Sequence, residues 1–222
     1  MAYKQLDLNG KVAVVVGGSS GIGKTIALGL AQAGADVVPS ARRIELVKAL
    51  AGEIESLGRR SLRVTCDVAD RESLDKLLKA SVEAFGKVDI LVNAAGITKR
   101  APTLEFSEAD WNRIMDTNLT GTLRACQVFG RHMIERKYGR IINIASMGSF
   151  LALFEVAAYS ASKSGLASLT KSLAVEWAEY GVCINAIAPG YFRTPLSEKF
   201  LVGTGRGKEV LMRTPMKRFG EL

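Results

Sequence analysis

The stretch VVVGGSSGIGKTIALGLAQAG (residues 14–34) joins a β-branched run, a glycine-rich turn and an amphipathic helical pattern. Gly17, Gly21 and Gly23 form a G-x-x-x-G-x-G pattern in the turn. Glycine lets the backbone come close to a pyrophosphate, and the amide groups at the start of the next helix favour an anion. The stretch predicts a dinucleotide-binding strand, turn and helix. Ile26 stands where the literal G-x-G-x-x-G fingerprint has its third small residue, so a turn without a ligand stays open.

Short apolar runs alternate with longer helical patterns along the chain. The runs are KVAVVVG (11–17), ADVVPS (35–40), SLRVTCD (61–67), VDILVN (88–93), GRIINIAS (139–146) and VCINAIAP (182–189). Strands that alternate with helices form parallel sheets, and nearly continuous apolar strands indicate helices on both faces. We therefore predict a single α/β domain over residues 1–222, a doubly wound parallel sheet of the Rossmann-like type.

The composition argues against several functions. The 222 residues carry a formal net charge of +8, but no run of Lys or Arg exceeds a pair such as Arg42 and Arg43. Nucleic-acid binding predicts a basic stripe with exposed aromatic residues, so we expect a solvated surface or an anionic small molecule instead. No apolar run has the length of a membrane span or a signal-peptide core. We expect no membrane and no nucleic-acid partner.

The cysteines suggest a reducing compartment. Cys66, Cys126 and Cys183 are odd in number, widely separated and without the spacing of a zinc or redox motif. We therefore expect reduced thiols, no metal site and a cytoplasmic protein.

Ligands of a doubly wound sheet bind beyond the carboxyl ends of the strands. After the second run, Ala41 and Arg42 occupy the place where an NAD-preferring fold has an acidic residue for the ribose 2′-hydroxyl. An arginine binds a 2′-phosphate through paired, charge-assisted hydrogen bonds, and a carboxylate repels it. Arg42 therefore predicts NADP(H) as the preferred cofactor, with NAD(H) still possible. The alternative is that Arg42 and Arg43 are solvated residues at a helix start.

YSASK (159–163) places Tyr159 and Lys163 one helical turn apart. A free phenol titrates near pH ~10, and a cation at i+4 stabilises the phenolate and lowers that pKa. We expect Lys163 to lower the pKa of Tyr159 by about 2 to 3 units. Such a pair also arises by chance on helix surfaces, so the prediction depends on further motifs.

The further motifs are GGSSGIG (17–23), CDV (66–68), NAAG (93–96), TN (117–118), NIAS (143–146) and PG (189–190). With this order and spacing, the sequence from about residue 8 onwards resembles the short-chain dehydrogenase/reductase family. The resemblance implies hydride transfer between a secondary alcohol and a ketone, with Tyr159 as general acid/base and Lys163 on the nicotinamide ribose. It also implies that Ser146 bonds the reacting oxygen and that Asn118 holds a proton-relay water. Alone, Ser146 and Asn118 are ordinary turn and backbone-bonding residues.

The resemblance also implies a set of cofactor-binding residues. They are Gly17, Ser19, Ser20, Gly21, Ile22, Gly23, Arg42, Asp67, Val68, Asn93, Ala94, Gly96, Tyr159, Lys163, Pro189, Gly190, Phe192 and Thr194. A non-catalytic dinucleotide-binding regulator is the alternative from another class. It has no reason to keep Ser146, Tyr159 and Lys163 together.

The substrate prediction depends on NAAGITKRAPTLEFSEADWNRIMDTN (93–118), APGYFRT (188–194) and RTPMKRFG (213–220). These stretches resemble gluconate 5-dehydrogenases and related sugar-acid dehydrogenases, with 3-oxoacyl-(acyl-carrier-protein) reductases as the alternative. The implied substrate residues are Arg100, Ser146, Tyr159 and Tyr191. The Arg100 guanidinium would bind a carboxylate in a paired geometry, unless it is a surface residue of its loop. A mobile loop at about 190–212 would close over the substrate.

Subunit contacts are expected along SGLASLTKSLAVEWAEY (164–180), where Gly165 and Ala167 permit close helix approach. The resemblance implies that the long helices before and after Ser146 pair across a two-fold axis, giving a homodimer or homotetramer. In the family, one more helix and a final strand follow the position of KRFGEL (217–222). We expect that helix and strand to be absent from this chain.

Overall fold

The computed structural model describes residues 7–195 and 197–222, in which strands and helices alternate. The strands are β1 (Val12–Val16), β2 (Asp36–Ser40), β3 (Ile90–Asn93), β4 (Gly139–Ile144) and β5 (Val182–Ile187). The helices are α1 (Gly21–Gln32), α2 (Ile44–Ser56), α3 (Arg71–Phe85), α4 (Glu108–Met115), α5 (Gly121–Glu135), α6 (Ala157–Trp177), α7 (Glu198–Leu201) and α8 (Gly205–Arg213). A π-helical turn (Asp116–Thr120) joins α4 to α5.

The strands form one parallel sheet in the order β2-β1-β3-β4-β5. The register pairs Val16 with both Ser40 and Asn93, and pairs Asn93 with Asn143, so the carboxyl ends of four strands lie side by side. The chain moves outward from β1 to β2 and then returns to β3 on the other side of β1. This reversal opens a crevice at the carboxyl ends of β1 and β3. The predicted doubly wound fold is confirmed.

Helices cover both faces of the sheet, which explains the unbroken apolar runs. Val14 packs in one hydrophobic cluster with Phe129 of α5, while Val15 packs in a second cluster with Leu50 of α2. Each such fully buried apolar side chain stabilises the fold by about 1.5–3 kcal/mol. Within the described ranges, none of the helices is long and apolar enough to cross a membrane.

The predicted strand SLRVTCD (61–67) is not a strand in the structure, so the sheet has five strands and not six. The preceding residue, Arg60, accepts a bond from the Val37 N–H of β2 at 3.1 Å. The next backbone donor on this edge of β2 would come from the residue two positions later. That residue is Pro39, which has no N–H. The Ser61 hydroxyl donates to the Val37 carbonyl at 2.7 Å and so replaces a ladder bond with a side-chain bond.

Helix α6 packs closely against the π-helical turn within the same chain. A Cβ added at Gly165 would lie 2.9 Å from Cδ2 of Leu119, so this glycine faces a close contact within the chain. Gly165 therefore gives no support to the predicted contact between subunits. Ala167 is partly buried.

The C-terminal segment packs on itself and on the loop after β5. Leu201 of α7, Val210 of α8 and Phe219 form a small hydrophobic cluster, against which Tyr191 packs. The predicted mobile loop at about 190–212 thus contains two short helices with their own apolar contacts. Its mobility stays a prediction.

Candidate active site

The glycine-rich turn between β1 and α1 passes very close to the end of β3. Gly17 has a φ of 80°, in the left-handed region that favours glycine. A Cβ added at Gly17 would lie 2.3 Å from the backbone nitrogen of Ala95, and one added at Gly23 would lie 2.3 Å from the Gly17 carbonyl oxygen. Larger residues are excluded at both positions, and the turn therefore presents bare backbone to the crevice.

The N-terminus of α1 is open to an anion. Ser20 is its N-cap residue but makes no side-chain capping bond, and the first turn contains no acidic residue. The free amide groups and the helix dipole there favour negative charge. Thr194 lies beside Gly21 of the turn, since a Cβ added at Gly21 would lie 3.4 Å from the Thr194 Cβ.

A cleft of about 690 Å³ lies at this edge of the sheet. Its volume is typical of small-molecule and cofactor sites. It brings together predicted residues from the whole chain, namely Gly17, Ser19, Ser20, Gly21, Ile22, Gly23, Arg42, Asp67, Val68, Ala94, Gly96, Arg100, Ser146, Tyr159, Lys163, Pro189, Gly190, Tyr191, Phe192 and Thr194. Asn93 and Asn118 are predicted site residues that do not line it.

The far end of the cleft combines an exposed guanidinium with a polar loop. Arg42 follows β2 and lies exposed at the cleft wall. Asp67 and the buried Val68 line the same region, and the Asp67 carboxylate accepts a bond from the Ala69 N–H at 3.0 Å. An exposed guanidinium beside a cleft is suited to binding a phosphate.

Ser146, Tyr159 and Lys163 meet where β4 and α6 approach each other. The Ser146 hydroxyl accepts a bond from the Gly148 N–H at 3.1 Å, which fixes the turn after β4. Tyr159 lies in the first turn of α6 and Lys163 one turn later, with its Nζ 5.8 Å from the centroid of the tyrosine ring. All three side chains line the cleft.

The ionisation of this pair differs from the prediction. The Lys163 Nζ is buried and donates to the Ile144 carbonyl oxygen at 2.6 Å, and burial lowers the pKa of Lys163 to about 8. Burial raises the pKa of Tyr159, a hydrogen bond with Ser146 opposes the rise, and Tyr191 adds to it. The expected lowering of the Tyr159 pKa is absent because desolvation dominates and the ammonium is directed at the Ile144 carbonyl.

Asn118 lies inside the π-helical turn and is fully buried. Its Oδ1 accepts from the Ile97 N–H at 2.8 Å, while its Nδ2 donates to the Ile97 carbonyl at 2.9 Å and to the Ser162 hydroxyl at 3.0 Å. A Cβ added at Gly96 would lie 3.5 Å from both the Asn118 Oδ1 and the Lys163 Nζ. The glycine therefore keeps a small space between these two groups. π-helical turns of this kind often occur at functional sites.

The side chain of Asn93 is directed away from the cleft, although the residue is predicted to bind the cofactor. Its Nδ2 donates to Oδ1 of Asn143 at 2.9 Å, and the Asn143 Nδ2 donates to the Thr170 hydroxyl of α6 at 2.9 Å. Residues 93 and 143 are register partners on neighbouring strands. A buried chain of hydrogen-bonded polar side chains therefore links β3, β4 and α6 beneath the cleft. In this position the Asn93 side chain does not reach a ligand in the cleft.

Arg100 reaches the cleft but is already paired. Its Nε lies 2.6 Å from Oε2 of Glu155, and the Ala101 N–H donates to the Glu155 carbonyl at 3.0 Å. Glu155 has a φ of 60°, an uncommon value for a residue other than glycine. The guanidinium lines the same cleft as Ser146, Tyr159 and Lys163, but its charge is balanced within the chain, and its contact with a substrate stays a prediction.

Sequence reasoning missed several residues of the cleft. They include Thr98, Met147, Leu153, Phe154 and Arg206. Arg206 lies in GTGRGK (203–208), a glycine-rich stretch. The sequence does not show where the side chain of this arginine points. The available signal was a basic residue between glycines, shortly after the PG motif at the end of β5.

Comparison with known proteins identifies the family. The family model described as short chain dehydrogenase matches residues 11–202. The chain is 41% identical to the 2-dehydro-3-deoxy-D-gluconate 5-dehydrogenase of Escherichia coli (strain K12), over 99% of this chain and 87% of that protein. It is 39% identical to the gluconate 5-dehydrogenase of Gluconobacter oxydans (strain 621H), over 97% and 84% of the two chains.

A solved structure gives the same result. The gluconate 5-dehydrogenase from Burkholderia cenocepacia J2315, in complex with NADP and tartrate, superposes with a TM-score of 0.92 at 39% identity, covering 97% of this chain and 85% of the other. The resemblance inferred from the sequence motifs is thus confirmed by the family model, by the two similar dehydrogenases and by the solved structure. The chain belongs to the short chain dehydrogenase family.

Proposed function

We propose that this chain is an NADP(H)-dependent oxidoreductase that interconverts a secondary alcohol and a ketone on a gluconate-like sugar acid. The observation that carries the proposal is a single cleft that combines a bare glycine turn, an arginine after β2 and the set Ser146, Tyr159 and Lys163. A regulator that only bound a dinucleotide would need the first two features alone.

The relatives support a sugar acid as the substrate. The two relatives above are dehydrogenases of gluconate and 2-dehydro-3-deoxy-D-gluconate. Arg100 and Arg206 both line the cleft, and two guanidiniums suit a substrate with a carboxylate. Reduction of a 3-oxoacyl thioester is the alternative within the same family.

The residues present fit a dinucleotide phosphate. Side chains at Gly17 and Gly23 would clash with neighbouring backbone, so the turn is bare, and the first turn of α1 is free of acidic residues. We propose that these amides bind the pyrophosphate, that Arg42 binds the 2′-phosphate and that Asp67 and Val68 contact the adenine end. The nicotinamide of the bound cofactor supplies or accepts the hydride. NAD(H) is the weaker candidate, because a 2′-hydroxyl gives Arg42 no charge to bind.

Tyr159 is the proposed proton donor and acceptor. An ordinary phenol is protonated at neutral pH, as donation to a ketone oxygen requires, and burial raises the pKa of Tyr159 further. In the oxidative direction the alcohol proton passes to the phenolate while the hydride leaves the carbon. Ser146 would bond the reacting oxygen. The charge of Lys163, 5.8 Å from the centroid of the tyrosine ring, would favour the phenolate without a direct bond and so oppose the larger effect of burial.

Asn118 is proposed to hold a water between itself and Lys163. Gly96 keeps a space at this point, 3.5 Å from both side chains as measured from an added Cβ. The Asn118 Oδ1 accepts one bond from Ile97 and has capacity for a second. Such a water would pass protons to Lys163.

A homodimer or homotetramer in the cytoplasm is proposed as the working form. The outer face of α6 exposes Val175 (80%), a large apolar residue of the kind that subunit contacts cover. Cys66, Cys126 and Cys183 are unpaired, which fits a reducing compartment. Sedimentation of the purified protein tests the assembly, and a monomer contradicts it.

A substrate panel tests the proposed function. The purified protein is assayed with D-gluconate and NADP⁺, with 5-keto-D-gluconate and NADPH, and with an acetoacetyl thioester and NADPH. Turnover of the sugar acids above that of the thioester is expected. Turnover of the thioester alone indicates the acyl reductase, and cofactor binding without turnover of any substrate indicates a regulator.

A further inference from the structure

The C-terminal segment is built as one packed piece that carries Tyr191 and Arg206 together. Tyr191 packs against the small cluster of Leu201, Val210 and Phe219. Helices α7 and α8 approach so closely that a Cβ added at Gly207 would lie 1.7 Å from the Leu201 carbonyl oxygen. This contact fixes the first turn of α8, in which Arg206 lies, relative to α7.

Arg206 lies at a place where the helix dipole opposes its charge, although it pairs with Glu209 one turn later in α8. It is the second residue of α8, where the dipole disfavours a cation, and the first turn has no acidic residue. The guanidinium nevertheless lines the same cleft as Tyr159 and Ser146, with 26% of its side chain exposed. A sheltered cation at the positive end of a helix, facing the cleft, is suited to an anionic ligand.

The bonding of the guanidinium leaves donors free. Its Nη1 lies 2.7 Å from Oε2 of Glu209, and Glu209 and the nearby Tyr191 both help to raise the pKa of Arg206. Tyr191 is in turn near enough to Tyr159 to influence its ionisation. A guanidinium has five N–H donors, so Arg206 retains capacity for a second carboxylate.

We infer that Arg206 contacts the carboxylate of the sugar-acid substrate and that Glu209 is the internal carboxylate that holds the guanidinium when no substrate is bound. This assignment rests on the proposed function for the identity of the substrate. The proposed carboxylate site then has two cations. Arg206 comes from the C-terminal segment, and Arg100 comes from the loop after β3. Glu209 is 45% exposed and Glu155, the partner of Arg100, is 25% exposed. Replacing Glu209 by a substrate carboxylate at Arg206 therefore costs less desolvation than replacing Glu155 at Arg100.

Three variants test the assignment. Arg206→Ala removes the proposed contact, Arg213→Ala is the matched control, and Glu209→Gln removes the competing charge. Arg213 also pairs with Glu209, at 3.9 Å, but it is 78% exposed and does not line the cleft. Tartrate, a small dicarboxylate, is titrated calorimetrically into each NADP⁺-loaded protein, and melting temperatures check that the variants are folded.

The expected results differ between the variants. Arg206→Ala should weaken tartrate binding about 10- to 100-fold, as expected for loss of a charge-assisted bidentate pair. Arg213→Ala should bind like the wild type, and Glu209→Gln should bind more tightly. Equal loss in Arg206→Ala and Arg213→Ala, unchanged binding in Arg206→Ala, weaker binding in Glu209→Gln, or no tartrate binding by the wild type overturns the assignment.

Turnover separates this assignment from the proposed function. KM is compared for D-gluconate and for an uncharged sugar alcohol. A rise confined to the acid in Arg206→Ala supports the contact, while an equal rise for both overturns it. If the wild type turns over no sugar acid but binds tartrate through Arg206, the proposed substrate is wrong and the carboxylate contact stands.

Discussion

The buried ammonium of Lys163 donates a hydrogen bond of 2.6 Å to the main-chain carbonyl of Ile144. The bond joins α6 to the end of β4, immediately before the turn that carries Ser146. Burial lowers the pKa of Lys163 to about 8, so its charge is retained at neutral pH and lost as the pH rises through that value. The helix sets the spacing of Tyr159 and Lys163, and this contact fixes the Lys163 ammonium relative to the end of β4.

The first prediction concerns the stability of the cofactor-free protein. An unfolded lysine titrates near pH ~10.4, so between about pH 8 and 10 the unfolded chain binds the proton that folded Lys163 has lost. The free energy of unfolding should therefore rise with pH in this window, by about 2 kcal/mol relative to Lys163→Met. Urea unfolding of both proteins at pH 8 and pH 10 measures this difference. Equal pH dependence in the two proteins would show that Lys163 keeps its charge when folded.

The second prediction concerns the proton transfer proposed for Tyr159. Tyr159→Phe should lower turnover about 10²- to 10⁴-fold, because the hydroxyl proposed to donate and accept the proton is lost. Binding of NADPH, followed by fluorescence, should remain within a few-fold of the wild type. Tyr180→Phe, at an exposed tyrosine outside the cleft, is the control and should keep full activity. Near-normal turnover in Tyr159→Phe would remove the tyrosine from the reaction.

The third prediction concerns the cofactor. Arg42→Ala should lower kcat/KM for NADPH about 10- to 100-fold, because a charge-assisted pair with the 2′-phosphate contributes about 1.5–3 kcal/mol. NADH has no such phosphate, so its kcat/KM in the same variant is the internal control and should change little. Wild-type protein that uses both cofactors equally well contradicts the assignment.

Backbone-level features of the site were predictable from the sequence, and the direction of buried side chains was not. Glycine positions and strand ends follow from local patterns, and the structure brings Gly17, Arg42 and Tyr159 to one cleft. Asn93 ends a strand as predicted, but its amide bonds with Asn143, a partner fifty residues away in the chain. No local sequence pattern shows that Asn93 would bond with Asn143. The same limit applies to Arg206, whose direction is set by the packing of α7 against α8.

The missing strand at residues 61–67 has a different cause. Its β-branched composition is typical of a strand, and the segment does run beside β2. Pro39, on the neighbouring strand, removes a donor from the shared edge, so regular pairing fails although the local pattern is correct. Such failures depend on the partner strand and become visible only once the pairing is known.

The fourth prediction concerns Arg100. Arg100→Ala should raise KM for a sugar acid about 10- to 100-fold and change KM for an uncharged sugar alcohol much less, since only the acid loses a paired contact. Lys99→Ala is the matched control, because Lys99 pairs with Asp110 and does not line the cleft. Equal weakening of both substrates, or a similar effect in the control, would make Arg100 a structural partner of Glu155 and no more.

The fifth prediction compares two glycines of α1. A Cβ added at Gly29 meets nothing within 4 Å, whereas one added at Gly23 would lie 2.3 Å from the Gly17 carbonyl oxygen. Gly29→Ala should therefore raise the free energy of unfolding by about 0.5–1 kcal/mol, the usual gain of alanine over glycine inside a helix.

Gly23→Ala should instead lower the free energy of unfolding by about 1–3 kcal/mol, because overpacking forces the backbone of the turn apart. The displaced turn is the proposed pyrophosphate site, so NADPH binding should fall as well, while Gly29→Ala binds like the wild type. Urea unfolding and fluorescence titration with NADPH measure the two effects. Equal stability and equal NADPH affinity in the two variants would mean that the turn relaxes around a methyl group, and that the close approach of Gly23 to Gly17 is not what shapes the cofactor cleft.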